Sequence, residues 1–377
     1  MEDREREHAR ALAARLAASG ALRAPRWITA FETVPRHLFV PRFFVGPAPA
    51  GAWELVDGTA PAQRDRWLDL VYRDTALVTQ LGERGTLLSS SSQPSLMARM
   101  LEALDFAGGE RVLEIGTGTG YNAALLCAGL GSEQVTSVDI DVGLVRAARG
   151  RLRELGYTPE LAVGDGADGH PGAAPYDRII ATCSLPRVPA AWIGQAAPGG
   201  LILVNLYREL GGGALALLQV SGEQASGHFA SFFGGFMSTR TISTVPMGET
   251  FDLVTDHLRE PGERRPAVLS ASALSDDAFD MIAALLFPGV HWIGLAHPGE
   301  AHQTWLVGDD GSWACQEGPD VRQSGPRRLW DQMETLHREW SARGRPARHD
   351  FGLTVTASGK HRIWLAGDPD WPASRYA

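Results

Sequence analysis

The segment 111–126 combines an apolar run, one carboxylate and three glycines, a spacing that suits a pocket for a nucleotide-like ligand. Its apolar side chains predict a buried strand and are Val112, Leu113 and Ile115. The glycines would let the backbone approach a ligand closely and are Gly116, Gly118 and Gly120. We expect Glu114 to face the crevice at the end of this strand, with a helix beginning just after the glycines.

The spacing of the glycines distinguishes two kinds of nucleotide ligand. A dinucleotide site needs G-x-G-x-x-G, and Tyr121 occupies the position of its third glycine. An acidic side chain at the strand end would repel a diphosphate, whereas it attracts a positively charged ligand. S-adenosylmethionine carries a sulfonium and an ammonium group. The sequence therefore predicts this molecule as the cofactor, with S-adenosylhomocysteine as its product.

Two further acidic residues follow later apolar runs and strengthen this prediction. Asp139 stands about twenty residues after Gly120, the distance expected for a carboxylate that binds a ribose. Asp165 lies in the turn Gly164–Gly166, where we expect it to reach the adenine amino group. A glycine turn alone is compatible with a purely structural role, but three acidic strand ends in order favour a cofactor site. The predicted cofactor contacts are Glu114, Gly116, Thr117, Gly118, Gly120, Asp139, Asp165 and Gly166.

The elements that must position these residues alternate between strands and helices. Apolar runs predict strands at 111–115, 134–138, 159–163, 176–181 and 200–206, separated by segments suited to helices. This alternation is typical of an α/β protein with a doubly wound, Rossmann-like parallel sheet. Ligands bind such sheets outside the carboxyl ends of the strands, where the three acids are expected. Two more strands are predicted at 214–220 and 229–236.

The residues before the glycine motif predict a helical entry segment. Helices are expected at 3–19 and 27–40, the second interrupted at Pro35, and a loop or insertion at 43–65. Short strands follow from about Trp67, and an amphipathic helix is expected at 95–104.

Seven of the eleven tryptophans fall in the last third of the chain and suggest a separate α+β unit there. They are Trp292, Trp305, Trp313, Trp330, Trp340, Trp364 and Trp371. Bulky aromatic residues in a small domain form its core more often than a ligand platform. A helix at 327–343 has apolar residues at core spacing.

Composition limits the classes of partner. With 377 residues the chain suggests two domains, and its net charge of −9 does not attract nucleic acid in general. The three cysteines lie far apart and the histidines show no metal-ligand spacing, so neither a disulfide framework nor a metal is predicted. No export signal or apolar span is evident in the sequence, which predicts a cytoplasmic protein without a membrane partner.

Several motifs resemble, in their order, the protein-L-isoaspartate O-methyltransferase family over residues 25–237. The glycine motif is shared by many methyltransferases, whereas an S-Q-P element and the loop TCSLPRVP are more specific. The motifs are VPRHLFVP, SSSSQPSLMARML, VLEIGTGTGYN, VTSVD, GDG, YDRIIATCSLPRVP and PGGLILV. The resemblance implies a class I methyltransferase sheet at 67–244, after an N-terminal helical segment and insertion at 1–66 and before a C-terminal α+β substrate-recognition domain at 245–377.

The resemblance also implies residue roles. Ser92 takes the position of the serine beside the transferred methyl group, and we expect it to aim the acceptor carboxylate as the catalytic residue. Capping of the following helix is its alternative role. The other predicted substrate contacts are Ser90, Ser91, Gln93, Ser184 and Arg187. Arg187 would pair with a substrate carboxylate, or else be a solvated surface cation.

Departures from the family pattern concern the substrate. The loop at 182–189 lacks the usual T-A-A-P-x-x-I-P sequence, and a C-terminal unit is expected to be absent from the repair enzymes. Extended members resemble those encoded beside ribosomal peptide natural products. The first hypothesis is therefore O-methylation of an aspartate side chain in a ribosomal precursor peptide, followed by cyclisation to aspartimide and, on hydrolysis, isoaspartate.

Two alternatives remain open. One is repair methylation of L-isoaspartyl residues in damaged proteins, and the other is a non-catalytic protein that binds S-adenosylmethionine or peptide. A nucleic-acid amino methyltransferase is not expected, because the fourth strand ends in ATCSLP rather than N/D-P-P-Y/F. The expected partner is thus a peptide or protein bearing aspartate or isoaspartate, and the oligomeric state is open.

Overall fold

The computed structural model describes residues 3–46, 53–239, 260–295 and 302–371, together with 252, 254–255 and 257–258. In this part of the chain the helices are α1 Asp3–Ala18, α2 Pro25–Thr33, α3 Arg36–Phe39, α4 Arg64–Val71, α5 Pro94–Ala103, α6 Tyr121–Leu130, α7 Val142–Glu154, α8 Ala190–Gln195, α9 Asp277–Leu286 and α10 Leu329–Ala342.

The strands run from β1 to β18 in chain order. They are β1 Arg42–Val45, β2 Glu54–Asp57, β3 Leu77–Leu81, β4 Leu87–Ser91, β5 Val112–Ile115, β6 Val135–Asp139, β7 Glu160–Val163, β8 Tyr176–Leu185, β9 Ala196–Arg208, β10 Gly211–Ser221, β11 Gln224–Phe229, β12 Glu263–Pro266, β13 Val290–Leu295, β14 Gln303–Gly308, β15 Trp313–Glu317, β16 Asp320–Ser324, β17 Phe351–Thr356 and β18 His361–Leu365.

A nine-stranded sheet in the order β18-β17-β11-β10-β9-β8-β5-β6-β7 forms the centre of the molecule. The half from β9 to β7 is parallel, and β10, β11, β17 and β18 extend it antiparallel. The predicted doubly wound α/β sheet is confirmed. Because successive residues of a strand face opposite sides, Ile179 belongs to one apolar core and Ile180 to the other.

The helical entry segment follows the sequence prediction closely. Pro25 begins α2, and Pro35 separates it from α3. Trp27 and Phe31 on α2 are buried, and α2 packs against α6. Helix α2 thereby packs onto the helix that begins directly after the glycine turn.

The expected loop at 43–65 is wrong within the described residues, and the short strands expected from about Trp67 begin only with β3 and β4, after a helix. Strands β1 and β2 form a hairpin in the sheet β2-β1-β3-β4, and Trp67 lies in α4. Burial explains the difference, since Phe43 and Val56 are inaccessible and Trp67 donates from its indole nitrogen to the Val40 carbonyl over 3.0 Å. Packing against the rest of the chain therefore overrides weak local periodicity.

The strand predicted at 229–236 is also wrong. A tight hairpin after β10 makes β11 begin at Gln224, earlier than predicted, and β11 already ends at Phe229. Ser221 pairs with Gln224 across a two-residue turn whose Gly222 has φ +59°. The later residues instead run back towards the end of β8, where Ser238 bridges to Ser184.

The C-terminal residues form a strand-rich region with two parts. A five-stranded antiparallel sheet has the order β12-β16-β15-β14-β13, whereas β17 and β18 join the central sheet beside β11. Hydrogen bonding between strands thus crosses the predicted boundary at 244/245, and that domain division stays a prediction. Trp330 and Trp340 belong to the same apolar core as Ile202, in keeping with a core role, although Trp292 is 46% exposed.

Within the described residues, no helix is both long and apolar enough to cross a membrane.

Candidate active site

A pocket opens at the carboxyl ends of β5, β6 and β8, where the sheet topology predicts a ligand. Six segments supply most of its wall: the end of β4, the glycine turn, the end of β6, the turn after β7, residues 182–183 of β8, and residues 237–239. Its walls are formed by Leu88–Ser92, Met97, Glu114–Thr119, Tyr121, Asn122, Val138–Ile140, Leu144, Asp165, Gly166, Thr182, Cys183 and Met237–Thr239.

The glycine turn after β5 is held open by its backbone geometry. Gly116 has φ +97°, and a Cβ there would lie 2.9 Å from Oγ1 of Thr182, which donates to the Gly116 carbonyl over 2.7 Å. Gly118 lines the pocket and donates its amide to Asp139 over 2.8 Å. Gly120 does not line it, because its α-carbon packs against Ala148 of α7. The predicted cofactor contact of Gly120 is therefore replaced by a helix-packing role.

Glu114 is completely buried at the floor of the pocket. One carboxylate oxygen accepts from Nδ2 of Asn122 at 2.8 Å, and the other accepts from Oγ of Ser137 at 2.6 Å. Burial raises the pKa of Glu114 to about 7, against the two hydrogen bonds that favour its ionised form, and the charge of Asp139 adds to the rise. A positively charged ligand in the pocket would favour the ionised form of Glu114 and lower its pKa.

Asp139 and Asp165 lie on the pocket wall and are oriented by backbone amides. Asp139 accepts from Gly118 at 2.8 Å and from Asp141 at 3.0 Å, and Asp165 accepts from Ala167 at 2.9 Å. The turn of Asp165 is fixed from outside, because the indole of Trp192 donates to the Gly166 carbonyl over 2.9 Å. Both carboxylates keep lone pairs for a ligand.

The serine run at the end of β4 forms the facing wall. Ser90, Ser91 and Ser92 line the pocket, whereas Gln93 is exposed and donates to Asp74 over 3.3 Å. Among the described residues, no partner bonds to the Ser92 hydroxyl, and α5 is not capped by it. The amide of Ser95 in the first turn of that helix instead donates to Asp74 over 2.8 Å.

Two predicted substrate contacts besides Gln93 lie outside the pocket. Ser184 is completely buried, donates to the Phe236 carbonyl over 2.8 Å and accepts from Asn205 over 2.7 Å. It anchors the segment 236–239. Arg187 donates to the Gly359 carbonyl over 2.6 Å, which ties the loop after β8 to the turn between β17 and β18.

Several pocket residues were missed by sequence reasoning. Met237, Ser238 and Thr239 reach the pocket only because backbone hydrogen bonds link 237 and 239 to Ser184, and no local signal in the sequence indicates this. Asn122 had a signal, since it lies in the first turn of α6, close after the glycines. Cys183 also lines the pocket, and burial raises the pKa of its thiol to about 12, so it stays protonated at neutral pH.

The pocket fits a cationic nucleoside ligand on its own chemistry. Three carboxylates, Glu114, Asp139 and Asp165, converge on it. Among the described residues, four that line it have a buried side-chain oxygen without a protein partner: Oγ of Ser91, the hydroxyl of Tyr121, Oδ1 of Asn122 and Oγ1 of Thr239. Unpaired buried polar atoms are costly, and a ligand would supply their partners. In the same part of the chain, no group of three or more acidic, histidine or cysteine side chains could hold a metal ion.

Comparisons with known proteins point to one family. Residues 56–216 match the family model described as Protein-L-isoaspartate(D-aspartate) O-methyltransferase. The protein-L-isoaspartate O-methyltransferase of Ignicoccus hospitalis is 34% identical over 213 residues, which is 56% of this chain and 85% of that protein. The enzyme of that name from Anaeromyxobacter dehalogenans strain 2CP-1 is 44% identical over 157 residues, 40% of this chain and 71% of the relative.

A solved structure of the same name extends the similarity to the C-terminal region. It has a TM-score of 0.55 and 25% identity, and the match covers 96% of this chain and 99% of the other. The expectation that proteins of this name lack a C-terminal unit is therefore wrong. The chain belongs to the protein-L-isoaspartate O-methyltransferase family and is an enzyme that uses S-adenosylmethionine to methylate carboxylates of proteins or peptides.

Proposed function

We propose that this protein methylates the free carboxylate of L-isoaspartyl residues in damaged peptides or proteins. The observation that supports this most directly is the meeting of Ser90–Ser92 with the acidic donor site in one pocket. The relatives matched over 85% and 71% of their own lengths support the isoaspartyl acceptor. They support it better than the precursor-peptide hypothesis that the sequence favoured.

The donor site is assigned to the residues that line the pocket opposite the serines. Glu114, Asp139 and Asp165 would hold the positive and hydroxyl groups of S-adenosylmethionine, with Gly116, Thr117, Gly118 and Gly166 close to it. When bound, S-adenosylmethionine supplies a methyl group that a carboxylate oxygen attacks, while the electrons of the broken C–S bond remain on sulfur. Gly120 is not included, because it packs against α7.

The acceptor needs orientation more than it needs a base. The free carboxyl group of an isoaspartyl residue is its α-carboxyl, which has a pKa of about 3.5 and is already ionised at neutral pH. A neutral hydroxyl can aim the carboxylate without stabilising its charge so strongly that it loses reactivity. Ser92 is the residue assigned to this role, because it lines the pocket and no described side chain or helix end uses its hydroxyl. Ser90 and Ser91 complete the wall.

The product then changes without further help from the protein. The backbone nitrogen of the following residue attacks the ester carbonyl, and the C–O bond to the methoxy group breaks. The methoxy group leaves with the amide proton as methanol, and a five-membered succinimide remains. Hydrolysis of the succinimide gives aspartate or isoaspartate, so repeated cycles convert isoaspartyl residues to aspartyl residues.

A second candidate is methylation of an ordinary aspartate in a ribosomal precursor peptide, with closure to aspartimide. The feature that favours it is the altered loop 182–189, which differs from the family pattern and is tied to the β17–β18 turn. The presence of a C-terminal region no longer favours it, because a protein with the isoaspartyl name matches 96% of this chain. For both candidate functions, we propose that residues 245–377 contribute to substrate recognition.

The test uses three peptides of one sequence that carry L-isoaspartate, L-aspartate or asparagine at the same position before glycine. The protein is incubated with labelled S-adenosylmethionine, and products are followed by mass spectrometry. Methylation of the isoaspartyl peptide followed by loss of methanol would support repair. Preference for the aspartyl peptide, or for a cyclised precursor, would replace it with the second candidate. Donor binding without any product would leave only a non-catalytic binding protein.

A further inference from the structure

Arg36 at the start of α3 is a completely buried cation beside the acceptor wall. Its guanidinium donates to Val71 and Arg73 carbonyls over 2.9 and 2.8 Å and to the Thr75 carbonyl over 3.0 Å. The same group donates to the Ser92 carbonyl over 3.1 Å and lies 3.5 Å from that of Ser91. One side chain thus joins the segment after α4 to the serine run.

The acceptors of Arg36 are all backbone carbonyls, and no described carboxylate forms an ion pair with it. Removing a guanidinium from water costs several kcal/mol, which only a fixed set of dipoles or an opposite charge offsets. Burial lowers the pKa of Arg36 to about 10, so the cation persists at neutral pH. The carbonyls must therefore keep pointing inwards, and this restricts the backbone of both segments.

Both segments held by Arg36 converge on the turn that presents Ser92. The first contains Asp74, which accepts from the Ser95 amide over 2.8 Å and from the Gln93 side chain over 3.3 Å. Ser92 is thus held at its own carbonyl by Arg36 and, through Gln93 and Ser95, by Asp74. The guanidinium also lies 5.9 Å from the ring of Tyr121, another residue of the pocket wall.

We propose that Arg36 is a positioning residue for methyl transfer, which fixes the Ser92 turn through the backbone and touches neither donor nor acceptor. This inference rests on the proposed function of Ser92. A shift of about 1 Å in a reacting group can lower a rate by about a hundredfold. Loss of the carbonyl contacts would therefore lower turnover. The residues assigned to S-adenosylmethionine at the ends of β5, β6 and β7 would stay in place.

The first test is Arg36→Lys, because an ammonium group cannot span two segments as a planar guanidinium does. We expect kcat for an isoaspartyl peptide to fall by about tenfold or more, with little change in the dissociation constant of S-adenosylhomocysteine. In a protein that already carries Ser92→Ala, Arg36→Lys should lower kcat by a much smaller factor. Equal losses in both backgrounds would show that Arg36 does not act through Ser92 and would overturn the proposal.

Arg178→Lys is the matched control. Arg178 also donates to backbone carbonyls, those of Leu104 and Asp105 at 2.6 and 3.0 Å, but it lies at the start of β8, at the end of the strand away from the pocket. We expect its substitution to leave kcat unchanged. A loss of kcat equal to that of Arg36→Lys would assign both effects to general destabilisation and overturn the proposal.

Asp74→Ala gives a second test if the Arg36 variant does not fold. It removes the tether on the other side of the turn, and the same fall in kcat with unchanged S-adenosylhomocysteine binding is expected. Turnover at the wild-type rate would overturn the requirement for a fixed turn.

Amide hydrogen exchange of residues 89–95 separates this inference from the proposed function, because it needs no substrate. Faster exchange at 91–93 in Arg36→Lys than in Arg178→Lys would support positioning even if the wild-type protein left the isoaspartyl peptide unmethylated. In that case the proposed function alone would fail. Unchanged exchange in a folded Arg36→Lys protein would overturn the inference.

Discussion

Ser92 lines the pocket and its hydroxyl has no partner among the described residues, which gives its substitution a specific signature. Ser92→Ala removes one oxygen and leaves the carbonyl that Arg36 holds. We expect kcat on the preferred peptide to fall by about tenfold or more, while S-adenosylhomocysteine binding stays nearly unchanged. Steady-state kinetics and calorimetry measure the two effects. Ser95→Ala is the control, because only the backbone amide of Ser95 contacts Asp74. Full activity of Ser92→Ala would remove the assignment.

Glu114 makes the stability of the ligand-free protein depend on pH. Its pKa is raised from 4.5 to about 7 by burial, so the folded protein binds a proton that the unfolded chain has lost. The contribution of protonated Glu114 to the free energy of unfolding is fully present below pH 4.5 and is lost as pH rises through 7. Between these two pH values the free energy of unfolding of the wild type should fall by about 3 kcal/mol relative to that of Glu114→Gln. Denaturant unfolding of both proteins at several pH values measures this difference, and parallel curves would contradict it.

At the scale of single residues, sequence spacing predicted the acids and glycines better than the substrate contacts. Glu114, Asp139 and Asp165 line one pocket because strand ends share one edge of a parallel sheet. Ser184 lies outside the pocket because Asn205 and Phe236 from distant segments hold its side chain, and its contact with a substrate stays a prediction. No local pattern indicates such a contact.

At the scale of elements, the loop after β8 is held by the hairpin β17–β18. The amide of Val188 donates to Nε2 of His361 over 2.9 Å, and Arg187 donates to the Gly359 carbonyl. Burial lowers the pKa of His361, and the charges of Arg187 and Arg208 lower it further, so Nε2 remains an acceptor at neutral pH. As pH falls through the lowered pKa, protonation removes this acceptor and loosens the loop.

Substitution of His361 tests whether this tether affects the substrate. His361→Leu removes the acceptor, and we expect a rise of about threefold or more in KM for peptide with faster exchange of the Val188 amide. His361→Gln keeps an acceptor and should retain most of the wild-type behaviour. His349→Leu on the exposed surface is the control. An unchanged KM in His361→Leu would show that the loop needs no tether.

Elements with strong periodicity or clear capping signals were predictable from sequence. Strands β5 to β10 and helix α10 lie within a few residues of their predicted positions, apart from longer ends on β8, β9 and β10. The hairpin β1–β2 and helix α4 were not predicted, because their burial comes from contacts with α1, α3 and β3 rather than from an internal pattern. The strand after β10 was predicted too late in the sequence, at 229–236, because the tight turn at Gly222 was not recognised.

At the scale of the whole molecule, the central sheet joins strands from residues 112–229 to the two late strands β17 and β18. Removal of residues 245–377 would take β17 from β11 and expose the apolar face that Trp330 and Trp340 cover. We expect this truncated protein to be insoluble or to aggregate on purification. A chain that ends at Trp371 retains both strands and should stay soluble. Size-exclusion chromatography compares them, and a monodisperse, donor-binding truncated protein would establish residues 1–244 as an independent unit.

The strand order has a further consequence for how the protein is made. Strands β11 and β17 are hydrogen-bonded neighbours, yet the entire five-stranded sheet is inserted between them in the chain. Synthesis proceeds from the N-terminus, so β11 leaves the ribosome long before its partner exists. Strand β11 can pair with β10 at once, but its other edge must stay unpaired in the nascent chain until residues 351–356 have been translated.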